Sequence, residues 1–148
     1  ASSGDVRLSA ADHRLSECRP GFYAQLREDL RAFAERTFAL DRVEDGVSYR
    51  ETLHGLLERT KRADRRAKLE AELECPDRPS CLRYIWDIFE RLANRRGSNG
   101  FGLNPISWGD IDAFTRLTRF PLTPWEIELI EMLDNLYRAE HARNGQKE

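Results

Sequence analysis

Cysteine is scarce in this sequence. There are three, Cys18, Cys75 and Cys81, an odd number with no Cys-x-x-Cys spacing. That argues against a disulfide-stapled secreted scaffold and for a reducing compartment. The three histidines, His13, His54 and His141, are far apart, and Cys75 and Cys81 have no histidine beside them. The close ligand pairs of structural zinc are therefore missing. No run approaches the ~20 apolar residues of a membrane span. Residues 1–12 are small and polar, without the apolar segment of a signal peptide. Neither sign of charge dominates. The chain has 24 Lys and Arg against 26 Asp and Glu, a net charge of −2, which gives no bulk attraction to nucleic acid. There is no Gly-x-Ser-x-Gly. The glycines at 97, 100 and 102 follow no strand and precede no Lys-Ser/Thr, so they read as a hinge and not a phosphate loop. The expectation is a protein that is not an enzyme, holds no cofactor and enters no membrane.

What is present is helical periodicity in 148 residues, 34% of them charged and 40% apolar. We expect an all-α fold of about five helices. Three helices form a packed C-terminal centre, with a charged helical extension. Residues 1–19 read as a flexible N-terminal arm, 20–75 as N-terminal helices with the extension, 76–143 as the C-terminal helical domain and 144–148 as a frayed tail. The first helix spans about Phe22 to Leu40, with apolar residues at three- and four-residue steps. Asp45-Gly46 marks a turn. A second helix opens at Ser48, where Glu51 gives capping-box spacing, and buries Leu53, Leu56 and Leu57. It runs on as a charged helix to about Leu73, with a break near Thr60, and Pro76 and Pro79 end it. The third, about Cys81 to Arg95, has the broadest apolar face: Leu82, Ile85, Trp86, Phe89, Leu92 and Ala93. The fourth starts at Ser107, with Asp110 three residues on. Its residues Trp108, Ile111, Phe114 and Leu117 step by threes. The fifth starts at Thr123-Pro124, with Glu126 completing a third capping signal. It buries Leu129, Ile130, Leu133, Leu136 and Tyr137.

Three features carry candidate function. Arg59, Lys61, Arg62, Arg65, Arg66 and Lys68 face one acid, Asp64, and a helix bearing them can neutralise several phosphates. Acids at i,i+4, in the pairs Arg66–Glu70 and Lys68–Glu72, favour a solvated face instead. The last two helices and their short link look like a helix-turn-helix. The second of them carries Glu126, Glu128, Glu131 and Asp134, an acidic face expected in solvent and repelled by DNA. Phe101 in the Gly-rich connection and Phe120 in the link lie off the helical stripes and are candidate partner anchors, together with Leu103 and Ile106 in that connection, Trp108 at the helix start and Arg119 in the link.

The run Gly97 to Thr118, with Pro105-Ile106-Ser107-Trp108 and Ala113-Phe114 through Leu117-Thr118, resembles small tail-module proteins of long-tailed phages and prophages. So does Leu122-Thr-Pro-Trp-Glu126 followed by Leu133-Asp134 and Tyr137. Val47-Ser-Tyr-Arg-Glu-Thr-Leu53 and Tyr84-Ile-Trp-Asp-Ile-Phe89 extend the likeness to about residues 46–140. These are the tail assembly chaperones. The resemblance implies binding to the tape measure protein, the tail tube protein or both. It implies action in the host cell cytoplasm and absence from the mature virion. Overlapping-frame synthesis, common to such proteins, would account for a sequence that does not begin with Met. Arg119-Phe120 departs from the family, where a small or polar turn is usual. Self-association, nucleic-acid binding through residues 59–68, and recruitment as an adaptor or inhibitor of a host protein are the alternatives.

Overall fold

The computed structural model describes residues 21–145. The arm expected at 1–19, with Cys18 and His13, and the tail after residue 145 lie outside them. The fold is all-α, with one small hairpin. α1 is Phe22–Leu40, β1 Val43–Glu44, β2 Val47–Ser48, α2 Tyr49–Arg59 and α3 Ala63–Leu73. A single 3₁₀ turn at Ser80–Leu82 leads into α4, Arg83–Ala93. α5 is Trp108–Thr118 and α6 is Pro124–Gly145.

α4, α5 and α6 form the expected centre, and α1 joins it by packing along α6. Leu26, Leu30 and Ala34 repeat every four residues on α1 and are all buried. They lie in one cluster with Leu82, Ile85, Trp86 and Phe89 of the α4 region and Leu129, Ile130 and Leu133 of α6. Aromatic rings extend it: Phe38 stacks on Trp86 at 5.4 Å and meets Tyr137 edge-on at 5.2 Å.

The turn after α1 folds as the sequence suggests. Asp45 and Gly46 have φ of 52° and 80°, the pair of positive values that closes a two-residue β-hairpin. The Ser48 capping box is formed: Ser48 N–H donates to Glu51 Oε2 at 2.9 Å and Glu51 N–H to Ser48 Oγ at 3.2 Å.

The charged extension does not continue straight. α2 stops at Arg59, where Thr60 Oγ1 donates to the Leu56 carbonyl at 2.7 Å. α3 then folds back antiparallel, so that Tyr49, the first residue of α2, reaches Glu72 near the end of α3 at 2.7 Å. No residue of α3 is buried. Of the leucine stripe expected on α2, Leu53 is buried but Leu56 is 46% exposed. The reason is that the hairpin touches the body mainly near its base. There Arg36 Nε of α1 donates to the Glu74 carbonyl at 2.9 Å and Thr37 meets Cys75. Cys75 and Cys81 are free thiols.

The Tyr49–Glu72 hydrogen bond, with burial and the carboxylate charge adding to it, raises the Tyr49 pKa above the ordinary 10.0. The bond therefore contributes fully below pH 10 and is lost as pH rises through the raised value. Difference titration of the phenol absorbance between the natural chain and Tyr49→Phe should show a midpoint above 10.0 that Glu72→Ala returns toward it.

Candidate functional site

α5 owes its existence to its ends more than to its burial. Ser107 caps its start in a reciprocal box, Ser107 N–H to Asp110 Oδ2 and Asp110 N–H to Ser107 Oγ, both at 3.1 Å. Its last turn closes on Arg119, which is left-handed (φ 56°, ψ 29°). A five-residue link with Pro121 then passes to Pro124, the first residue of α6, where a fixed φ and a missing N–H suit the helix. So short a link keeps α5 beside α6, close enough for Trp108 at the start of α5 to reach Glu131 of α6. Only Ile111 of α5 is buried. Trp108 and Leu117, expected on a core stripe, are 76% and 81% exposed, because α5 meets the body along one narrow line.

Between α5 and α6 lies an open groove of about 850 Å³. Ile111, Leu122 and Ile127 provide its apolar surface, with Pro121, Pro124 and Thr115. Trp108 stands at one end, its indole Nε1–H donating to Glu131 Oε1 at 2.6 Å. Arg119 stands at the other. On the rim, Arg116 pairs with Asp112 at 3.0 Å. Glu128 and Arg119 are exposed, and neither makes an ion pair within the described residues.

The connection into α5 is ordered, not a plain hinge. Asn99 Oδ1 accepts from the N–H groups of Phe101 and Gly102 at 2.9 and 3.0 Å. Ser98 and Leu103 bridge across the turn, and Gly100 takes a φ of 85° that favours glycine. The far end is locked by Asp134. Its carboxylate pairs with Arg96 Nη1 at 2.5 Å and Arg138 Nε at 3.1 Å, and accepts from the Ile106 N–H at 3.0 Å. The Arg96 and Asp134 side chains are each only 4% exposed.

These contacts sort the anchors expected from the sequence. Trp108 and Arg119 line the groove. Phe101 is fully exposed at the loop tip but does not line it, and Leu103 is half-buried in the loop bridge. Ile106 is buried, since the Asp134 lock draws its backbone onto α6, and so cannot be a surface anchor. Phe120 turns inward onto Tyr84 at 6.1 Å and closes the core. Ile111, Leu122, Ile127 and Glu128 were not among the expected site residues. The short link between two apolar-faced helices was their one signal.

The acidic face expected on α6 is only partly in solvent. Glu126 and Asp134 are each 3% exposed. α6 is the central helix, packed against both α1 and α4, so it cannot serve as a groove-reading helix for DNA. The basic run is likewise not one helix: Arg59 ends α2, Lys61 and Arg62 lie in the turn, and Arg65, Arg66 and Lys68 lie on α3. Arg62 pairs with Asp64. Arg66 donates to the Leu57 and Thr60 carbonyls, capping α2, and sits 3.9 Å from Glu70. The expected Lys68–Glu72 pair is replaced by Tyr49–Glu72.

A family model described as phage tail assembly chaperone matches residues 62–139, more than half of the chain. The chain belongs to the phage tail assembly chaperone family. The match covers α3 through most of α6 and all of the groove. It begins after the Val47–Leu53 motif, and α1 and α2 lie outside it. No curated protein and no solved structure matches this chaperone.

Proposed function

We propose that this chaperone works by binding alone, holding the tape measure protein or the tail tube protein in the host cytoplasm until the tail assembles. It does not remain in the virion. The observation that carries the reading is the open apolar groove between α5 and α6, whose lining falls entirely within the family match. A groove with an apolar floor and charged rims suits an amphipathic helix laid along it. An indole at its mouth, still largely exposed, is the side-chain type that most often anchors such a partner.

The test is co-expression of this chain with the tape measure and tube proteins of the same tail gene set. One or both should co-purify. Thr115→Arg, which fills the groove with a long cation, should cut recovery about tenfold, a loss of about 1.4 kcal/mol, with an unchanged melting temperature. Phe101→Ala should leave recovery intact. Failure to recover either tail protein, or recovery unaffected by Thr115→Arg, would sink the reading.

A further inference from the structure

Arg119 takes a backbone conformation that a side chain with a Cβ adopts at a cost and that glycine adopts freely. The residue closing α5 is where helices most often place glycine for that reason. Here the position holds an arginine, exposed, without an ion pair among the described residues, and lining the end of an apolar groove. A backbone outlier retained beside a cleft points to a use for the side chain it holds.

The rest of the rim is electrically polarised. Asp112 and Arg116 neutralise each other at 3.0 Å. What remains is one cation, Arg119, at the link end, and two acids, Glu128 and Glu131, one and two turns along α6 from Pro124. Along α6, Glu128 and Glu131 lie about 6 and 10 Å beyond Pro124, where the link that Arg119 begins enters the helix. α5, with 11 residues, gives a wall of about three turns.

Resting on the reading of the groove as the client site, we propose that its occupant is an amphipathic helical segment of the tail partner. That segment carries an Asp or Glu against Arg119 and a Lys or Arg about two turns away against Glu128 and Glu131. Apolar contact holds the segment, and the two opposite-charge contacts set which segment is taken and where it stops along the groove. Arg119 is the specificity-determining residue, held out at the expense of the turn that carries it.

Two synthetic helical peptides of about four turns test this against the full chain. Both have one apolar stripe. The first carries Glu and Lys about seven residues apart on the rim-facing flank; the second has Lys at both places. The natural chain should bind the first about fivefold tighter, within the range of partly exposed ion pairs, and the preference should shrink in 0.5 M salt. Arg119→Glu should invert it. Arg119→Gly should abolish it while raising Tm by about 2–4 °C, as relieved strain exceeds the added freedom of the unfolded chain. Equal binding of the two peptides overturns the charge reading while leaving the groove as the client site. Absence of binding by both overturns the groove as the site and this inference with it. An unchanged or lowered Tm for Arg119→Gly overturns the claim that arginine is held there at a cost. Light scattering that shows a dimer disrupted by Thr115→Arg would give the groove to a second copy. Displacement of the first peptide by a peptide of residues 1–20 would give it to the chain's own N-terminal segment.

Discussion

Asp134→Ala should destabilise the chain by about 3–5 kcal/mol, the usual result of removing one partner from a buried ion pair. Three groups depend on this carboxylate: Arg96, Arg138 and the Ile106 N–H. Arg138 is partly exposed and can turn to water. Arg96 cannot, because its side chain is 4% exposed. Its guanidinium would be left with the Asn104 and Ala93 carbonyls at 3.5 and 3.4 Å and the Tyr137 ring 5.1 Å away. Urea unfolding should show a large fall in midpoint with little change in slope. Amide exchange of residues 97–107 should rise, because both ends of that connection hang on the same carboxylate. The double variant Asp134→Leu, Arg96→Met should recover much of the loss, since the unpaired buried charge, more than the missing attraction, makes the single variant costly. A loss below about 1 kcal/mol for Asp134→Ala would mean that the pair is hydrated in solution.

Leu30→Ala should cost about 2–5 kcal/mol. Leu30 is fully buried at the α1–α6 contact, with Ala34 one turn on and equally buried, so the neighbouring backbones are already close and cannot collapse much further into the space left. Leu56→Ala is the control. At 46% exposure on the α2–α3 hairpin it should change stability by no more than about 0.5 kcal/mol. Chemical denaturation of the two variants side by side separates a helix built into the core from one attached to it. Similar effects would contradict the placement of α1 in the core.

Much of this architecture could be read from the sequence because its signals are local. The Ser48 and Ser107 capping boxes, the turn at Asp45-Gly46, the break near Thr60 and the apolar face of α4 depend on residues within a few positions of one another. What could not be read is long-range. Asp134 looks like any surface acid on an amphipathic helix, and only Arg96, brought back by a connection of about a dozen residues, makes its burial tolerable. Trp108 and Leu117 share a helical stripe with Ile111, yet α5 has a neighbour for only the middle of it. Trp108 and Arg119 were legible as anchors from their places at the helix start and in the short link. The other wall of their groove, Ile127 to Glu131, was hidden in a stripe that serves the core and the cleft together.

α5 also differs from its neighbours in how firmly it is held. It has one buried side chain, a polar cap, and a tether at each end, while α1, α4 and α6 share the main apolar cluster. Local opening in such folds begins where few apolar contacts must break. α5 should therefore exchange its amides ahead of α1, α4 and α6, by a movement that spreads one wall of the groove without unfolding the body. For a tail assembly chaperone that binds its partner in this groove as proposed, this makes release a property of one short helix. Its rate can drift with changes at Ile111 or the Ser107 cap while the rest of the molecule stays as stable as before.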